Sequence, residues 1–211
     1  NASLKGKLYT LPRVRPLDGH ESMLIRKDWL DKLGLQQPKT MDELAKVLEA
    51  FASKDPDGNG KADTMGIAGF EKSLAVNGKA QRGDFKGIFQ AFGAYPSGGV
   101  EGVSNWIKDS SGNVVYASIT PETKQALSKL REMYAAGAID KEFALRKEVN
   151  ENIVSGKSGV FFGPWWSGGL AADTMKLNPK ADFVPYLIPD AKGVVNTMMV
   201  PVSTQFIVVK K

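Results

Sequence analysis

The amino-acid sequence predicts an α/β fold in which helices flank a mixed sheet. Three observations lead to this prediction. Several segments carry the capping residues and the three-and-four spacing of amphipathic helices, short apolar segments between them are typical of strands, and the two kinds alternate without an internal repeat or low-complexity tract. Such alternation is typical of one domain whose helices pack on a sheet.

The composition limits the class of function. The chain has 211 residues, of which 42% are hydrophobic and 24% are charged, which is enough apolar material for a sizeable core. The net charge is +5, but the basic residues are spread along the chain and form no stripe of the kind that binds nucleic acid. With no cysteine and one histidine, disulfides, thiol catalysis and zinc sites with cysteine ligands are excluded.

Two helix starts have specific local signals. Residues 40–43, Thr-Met-Asp-Glu, form a capping box ahead of an apolar stripe. Residues 120–122, Thr-Pro-Glu, combine an N-cap, a proline at the first helical position and an acid near the positive end of the helix dipole. Weaker signals predict helices over residues 29–33 with Asp28 as the cap, over 84–92, over 141–155, and from Gly169 to about residue 178.

Strands are predicted for the short apolar segments. Residues 106–108 and 114–117 should pair as a hairpin around the turn at 109–113, and residues 163–169 should form a loop. The remaining predicted strands are residues 7–11, 22–27, 65–68, 160–162, 183–188, 194–199 and 205–209.

The segment from residue 55 to residue 63, here called the Asp55 loop, has the spacing of a calcium-binding loop. Calcium takes six to eight oxygen ligands, and such loops supply them from alternate positions with a glycine at the sixth. The predicted ligands are the side chains of Asp55, Asp57, Asn59 and Asp63 and the backbone carbonyl of Lys61. Gly60 occupies the sixth position, at the turn.

The end of this loop departs from an EF-hand. The twelfth position, where an EF-hand has a bidentate glutamate, is Gly66, and the next segment is predicted as a strand. The missing ligand could come from Thr64, Glu71, Asp84 or water. The sequence therefore predicts a structural calcium site, and the alternative is an Asx/Gly turn without metal.

Trp165 and Trp166 predict a sugar-binding wall. Two adjacent indoles in a Gly/Pro-rich segment cannot both point into one core, and aromatic faces are what the C–H patches of sugars stack on. The alternative is that one indole belongs to the core and the other packs on its neighbours. Further candidates for the same cleft, each with an equally plausible structural role, are Tyr9, Arg13, Arg26, Tyr95 and Trp106.

Several of these segments together resemble a known family. They are residues 8–13 (LYTLPR), residues 25–35 (IRKDWLDKLGL), the Asp55 loop, residues 106–109 (WIKD) and residues 159–166 (GVFFGPWW). In this order the chain resembles family 1 extracellular solute-binding proteins, the sugar-binding lipoproteins of ABC importers in Gram-positive bacteria. The resemblance runs from Lys7 to about Lys211.

The resemblance implies a type II periplasmic-binding-protein-like fold, with two lobes that clamp a sugar or oligosaccharide between them. It implies that residues 3–203 are the second lobe and that residues 204–211 cross back towards the first. Asn1–Ala2 themselves resemble a tag remnant. The family resemblance also implies an extracellular, lipid-anchored, monomeric protein that docks on permease subunits and is not an enzyme. In oligosaccharide-binding members of the family, the calcium loop is a structural staple.

Two other functions remain open at this point. A carbohydrate-active hydrolase would need two carboxylates across a cleft, and Asp28, Asp84 and Glu101 are candidates that no motif pairs. A calcium-dependent interaction module of the dockerin type would duplicate its calcium loop, whereas this chain has one. With half a cleft, the chain alone should bind sugar weakly, because pockets normally enclose ~70–90% of a ligand.

Overall fold

The computed structural model describes residues 3–4, 7–8, 11–13, 21–74, 82–94, 106–109, 111–188 and 205–207. Its helices are α1 Lys27–Leu33, α2 Met41–Ser53, α3 Lys86–Ala91, α4 Pro121–Ala135, α5 Asn150–Val154 and α6 Gly168–Leu177. Its strands are β1 Ser3–Leu4, β2 Lys7–Leu8, β3 Leu11–Arg13, β4 Glu21–Arg26, β5 Met65–Ile67, β6 Trp106–Lys108, β7 Val114–Tyr116, β8 Ser158–Pro164, β9 Phe183–Tyr186 and β10 Gln205–Ile207. Short 3₁₀ segments are Ala117–Ile119, Phe143–Leu145 and Trp165–Ser167.

A four-stranded sheet with the order β5-β8-β4-β9 organises the fold. Strand β4 runs antiparallel to both β8 and β9, whereas β5 runs parallel to β8. The sheet is therefore mixed, as predicted. All seven residues of β8 are buried, which is the pattern of a strand covered on both faces.

Successive residues of the two central strands serve two separate cores, because side chains alternate across a strand. Met23 and Phe162, which are partners in the β4–β8 register, pack in the larger core with α2, α3 and α4. Leu24 and Phe161, the next register pair, pack in the smaller core with α5 and α6. Helices thus cover both faces of the sheet, and the predicted α/β architecture is confirmed.

Three smaller strand pairs lie outside this sheet: β1 with β2, β3 with β10, and β6 with β7, all antiparallel. The β6–β7 pair is the predicted hairpin. Among the described residues, no helix is long and apolar enough to cross a membrane. The predicted strand over 194–199 lies outside the described residues.

The two helices with specific start signals form as predicted. The Thr40 hydroxyl oxygen accepts a hydrogen bond from the Glu43 backbone N–H at 3.2 Å, and α2 begins at the next residue. Thr120 caps α4 in the same way, accepting from the Thr123 N–H at 3.4 Å. A side-chain oxygen at this position satisfies a donor that the helix itself leaves unpaired.

The helix predicted over 141–155 is wrong as a continuous element. The chain instead forms a 3₁₀ turn at Phe143–Leu145, becomes extended at Arg146, and starts α5 at Asn150. Asp140 explains the break, because its carboxylate accepts from the Glu142 N–H and pairs with the Arg146 guanidinium. These bonds stabilise a tight turn in place of a first helical turn.

Two other local predictions are corrected. Helix α1 begins one residue before Asp28, and its N-terminus has no side-chain cap, because the Asp28 carboxylate binds Arg26 instead. The predicted loop over 163–169 is mostly regular, since β8 continues to Pro164 and α6 begins at Gly168. Only the short 3₁₀ turn between them is neither strand nor α-helix.

Candidate functional site

The 3₁₀ segment Trp165–Ser167, here called the indole segment, lies between the end of β8 and the start of α6. Strand β8 is buried along its whole length, so the chain reaches the protein surface only where the strand ends. Trp166 is 40% exposed there. For Trp165 the structure describes the backbone position and not the side chain. One indole of the predicted pair is therefore accessible to a ligand.

The surface next to Trp166 is open. Gly168 and Gly169 are exposed, and a Cβ added to either would meet nothing within 4 Å. Helix α6 continues directly from the 3₁₀ turn of the indole segment, so the exposed backbone of its first two residues lies beside the indole. An aromatic face beside a few polar groups is the composition of a sugar subsite.

Ser167 marks the inner side of this turn. Its side chain is fully buried, and its hydroxyl has no hydrogen-bond partner among the residues that the structure describes. The side chain packs so closely on Gly163 that a Cβ added to that glycine would lie 2.8 Å from the Ser167 Cβ. Gly163 is therefore required for the close approach that turns the chain out of the sheet.

Arg26 lies in the interior, away from any open wall. Its side chain is 2% exposed, and its Nε and Nη2 donate to the two Asp28 carboxylate oxygens at 2.7 and 2.5 Å. Its Nη1 donates to the Gly156 carbonyl at 3.3 Å, and its guanidinium carbon lies 4.4 Å from the centroid of the Trp29 ring. Arg26 therefore has a structural role in place of the suggested sugar contact.

Trp106 is the second exposed indole of the described residues. It is 58% exposed on β6 and packs edge-on against Tyr116 of β7, with ring centroids 5.4 Å apart. The alternative in which Trp106 is a hairpin core residue is therefore wrong. The Asp109 carboxylate fixes the turn of this hairpin by accepting from the backbone N–H groups of Ser111 and Asn113 at 2.9 and 2.8 Å.

The structure describes the other sugar candidates only in part or not at all. Arg13 lies in β3 opposite Gln205, with its side chain outside the described part of the structure. Tyr9 and Tyr95 lie outside the described residues. Trp106 and Trp166 occupy separate elements, the hairpin and the end of β8.

The Asp55 loop connects α2 to β5 and folds around the carboxylate of its first residue. The Oδ1 atom of Asp55 accepts from the N–H groups of Gly58 and Asn59, both at 3.1 Å, and its Oδ2 atom accepts from Gly60 at 3.0 Å. Asp55 itself has a φ of 48°, and Gly58 and Gly60 have φ values of 73° and 76°. This coil of left-handed residues requires the two glycines.

The remaining side chains of the loop converge on Asn59. Its amide nitrogen donates to Asp57 at 2.8 Å and to Asp63 at 3.1 Å, and its amide oxygen accepts from the Lys61 N–H at 2.7 Å. Hydrogen bonding to Asp57 lowers the pKa of Asp55, whereas burial and then Asp55 raise the pKa of Asp57. The two carboxylates therefore lie close enough that ionisation of one disfavours ionisation of the other.

The loop's donor set fits a hard cation. It offers three carboxylates, one amide oxygen and a backbone carbonyl, all of the oxygen type that calcium prefers. Among the described residues, no three acidic or histidine side chains form a metal-binding group by themselves. The fit therefore depends on the amide and the carbonyl together with the carboxylates.

The candidates for a further calcium ligand have other roles. The Thr64 hydroxyl donates to the Phe51 carbonyl at 2.8 Å, and the Glu71 carboxylate accepts from Lys147 at 2.9 Å. Asp84 is buried two residues before α3. Water is the remaining candidate for the further ligand.

The two described carboxylates considered for a hydrolase, Asp28 and Asp84, have other surroundings than an open cleft. Asp28 is bound to Arg26, and Asp84 is buried. Glu101 lies outside the described residues. Neither described carboxylate is thus available as a free acid or base beside a sugar.

Sequence comparisons identify homologues that are binding proteins. The chain is 35% identical over 166 residues to the polygalacturonan/rhamnogalacturonan-binding protein YtcQ of Bacillus subtilis, covering 77% of this chain and 30% of that protein. It is 38% identical over 168 residues to the fructooligosaccharide ABC transporter substrate-binding protein FusA of Streptococcus pneumoniae, covering 74% of this chain and 29% of that protein. No protein-family model matches the chain.

Solved structures agree with these relatives. FusA in complex with kestose superposes with a TM-score of 0.65 at 27% identity, over 96% of this chain and 40% of FusA. An EF-hand mutant of FusA in complex with fructo-nystose gives a TM-score of 0.64 at 25% identity, with the same coverage of both chains.

The matched length defines what is shared. The chain spans about 30% of the length of the curated relatives, at 30% of YtcQ and 29% of FusA, and about 40% of the solved FusA chain. The shared part includes the mixed sheet with its flanking helices. The chain is therefore a homologue of the sugar-binding, extracellular solute-binding proteins of ABC transporters, and its fold corresponds to part of such a protein.

Proposed function

We propose that this chain is one lobe of the substrate-binding component of an ABC importer, and that its sugar site is centred on the indole segment. The second lobe would comprise residues 3–203, and residues 204–211 would cross towards the first lobe. The position of β10 supports a separate role for residues 204–211, because β10 pairs with β3 in a two-stranded sheet apart from the four-stranded sheet.

The observation that carries the proposal is the exposure of Trp166 beside an open helix end. An indole that is 40% exposed offers a flat apolar face on which a ligand can stack. The adjoining glycines keep the space over the first turn of α6 free. A flat aromatic face with exposed backbone beside it suits the C–H face and hydroxyl groups of a sugar ring.

We propose an oligosaccharide as the ligand class. YtcQ is named for acidic pectic polymers and FusA for neutral fructooligosaccharides, so the relatives span both charge types. Stacking on Trp166 does not depend on ligand charge. Polar residues around the indole would therefore select between acidic and neutral oligosaccharides. The protein would act outside the cell on a lipid anchor and deliver the sugar to permease subunits without altering it.

We further propose that the Asp55 loop binds calcium as a structural ion. Asp57 and Asp63 both accept hydrogen bonds from the Asn59 amide, and backbone N–H groups of Gly58, Asn59 and Gly60 already fix Asp55, so little ordering is left for the metal to impose. The ligands would be Asp55, Asp57, Asn59, the Lys61 carbonyl and Asp63, completed by water. The existence of a FusA variant described as an EF-hand mutant supports such a loop in a relative.

The sugar proposal is tested by saturation-transfer NMR, which detects ligands of millimolar affinity. The purified chain is mixed with kestose, a tri-galacturonate or a non-sugar polyol of similar size. We expect transfer to ring C–H protons of at least one oligosaccharide and none to the polyol. Absence of transfer from every sugar would overturn the proposal, and new anomeric signals with time would favour the hydrolase instead.

A further inference from the structure

Lys157 lies against the Asp55 loop from a neighbouring element. It occupies the turn between α5 and β8, and its Nζ atom is 3.6 Å from an oxygen of Asp63. Asp63 is the ninth-position ligand of the proposed calcium site. A lysine ammonium and a metal ion therefore have the same carboxylate as a partner.

The position of Lys157 is fixed by the fold. Its backbone N–H donates to the Asn152 carbonyl at 3.0 Å, and its carbonyl accepts from the Met65 N–H at 2.8 Å. The second bond is the first rung between the loop's exit and β8, where Met65 is paired with Ser158. Because its backbone N–H and carbonyl are both hydrogen-bonded, the Lys157 side chain projects from a fixed point beside the Asp55 loop whenever the sheet is formed.

We propose that Lys157 sets the calcium affinity of the Asp55 loop by competing with the ion for Asp63. This inference rests on the calcium site proposed above. Without metal, the ammonium neutralises part of the charge of the Asp63 carboxylate. When calcium binds, the ammonium loses its partner and lies within a few ångströms of a dication, which raises the free energy of the bound state.

The magnitude is moderate because both side chains are partly in water, with Lys157 47% and Asp63 35% exposed. Charges separated by less than the ~8–10 Å Debye length remain incompletely screened at ordinary ionic strength. Removing one such repulsion from a dication should tighten binding about three- to tenfold at low salt.

The experiment is calorimetric titration of the chain with calcium ion in 20 mM salt, for wild type, Lys157→Gln and Lys157→Glu. Expected affinities rise in that order, and the difference between variants shrinks in 500 mM salt. The matched control is Lys129→Gln, which removes a lysine paired with Asp42 and Glu132 at a site away from the loop. This control should leave the affinity unchanged.

The outcomes separate the two proposals. Calcium binding by wild type with an equal or weaker affinity in Lys157→Gln overturns the competition and leaves the metal site intact. Absence of calcium binding in every protein overturns the metal site and the competition with it. A rise of the same size in Lys129→Gln shows a general charge effect and also overturns the specific role of Lys157.

Discussion

The guanidinium of Arg26 lies over the indole ring of Trp29, 4.4 Å from its centroid, at the point where β4 becomes α1. Both side chains are almost completely buried, and the charge is balanced by Asp28 in a two-bond carboxylate pair. A buried cation needs such compensation, because its desolvation costs several kcal/mol. The three residues fix the direction in which the first helix leaves the sheet.

Replacing Asp28 with alanine should therefore lower the free energy of unfolding by about 2–3 kcal/mol, because it leaves the buried guanidinium without its carboxylate. This value is below that of a fully buried pair, since the Asp28 side chain is 25% exposed. Urea denaturation provides the measurement. The control is Asp31→Ala, whose exposed pair with Lys27 should contribute less than about 1 kcal/mol. Equal losses in both variants would contradict the structural role of Asp28.

Trp166→Ala should abolish saturation transfer to the sugar while changing the stability little, because the indole is partly exposed. Trp166→Phe should retain a reduced signal, since it keeps an aromatic face for stacking. Thermal unfolding of both variants checks that the loss is local. A full signal in Trp166→Ala would remove the indole from the proposed site.

Gly169→Ala should separate stability from binding. The glycine lies in α6 and an added Cβ meets nothing within 4 Å, so alanine should stabilise the helix by about 0.5–1 kcal/mol. The same methyl group would occupy the space proposed for the sugar and should weaken the NMR signal. A more stable variant with unchanged sugar binding would place the ligand elsewhere.

Gly159→Ala should destabilise the protein. A Cβ there would overlap the Phe51 ring, with its Cε2 atom only 2.8 Å away, and overpacking of this kind costs about 1–3 kcal/mol. The double variant with Phe51→Leu should lose less than the sum of the two single losses, as measured by urea denaturation. Strict additivity would contradict the contact.

Calcium should stabilise the chain by mass action. At a hundredfold excess over its dissociation constant, an ion that binds only the folded state adds about 2.7 kcal/mol, visible as a higher melting temperature than in chelator. Asp57→Asn should reduce this difference, because it removes one of the three carboxylates. Magnesium should substitute poorly, since it demands stricter octahedral geometry. An identical melting temperature with calcium and with chelator would argue against the site.

The β6–β7 hairpin should loosen in acid. Hydrogen bonds from Asn113, Ser111 and Gly112 lower the pKa of Asp109 from its ordinary value of 3.8. A lowered folded-state pKa means that the stabilisation is present above pH 3.8 and is lost as the pH falls through the lower value. NMR signals of the Trp106 indole should report the change. Asp109→Asn should make them insensitive to pH in this range.

The elements that could be predicted from the sequence are those with redundant local signals. Helices α2 and α4 combine a cap with an apolar stripe, and their starts agree with the structure. Even there, two apolar residues of α4, Leu127 and Tyr134, are more than 40% exposed. A stripe predicts the buried side of a helix, and its width depends on neighbours that the sequence does not reveal.

The site predictions differ in the same way. The Asp55 loop is encoded by local spacing, and its backbone folds around Asp55 as that spacing predicts. Arg26 could not be placed from its neighbours in sequence, because its burial depends on Gly156 and Phe183, which are distant along the chain. Lys157 carried no sequence signal at all, since only the parallel β5–β8 pairing brings it to Asp63.

Strand β8 connects the two proposed sites, with Lys157 just before its first residue and Trp165 just after its last. The two proposed sites are therefore formed by different residues, the metal end before Ser158 and the indole segment after Pro164. Insertion of a single residue within the strand would turn every following side chain to the opposite face, so this strand does not tolerate a change of length.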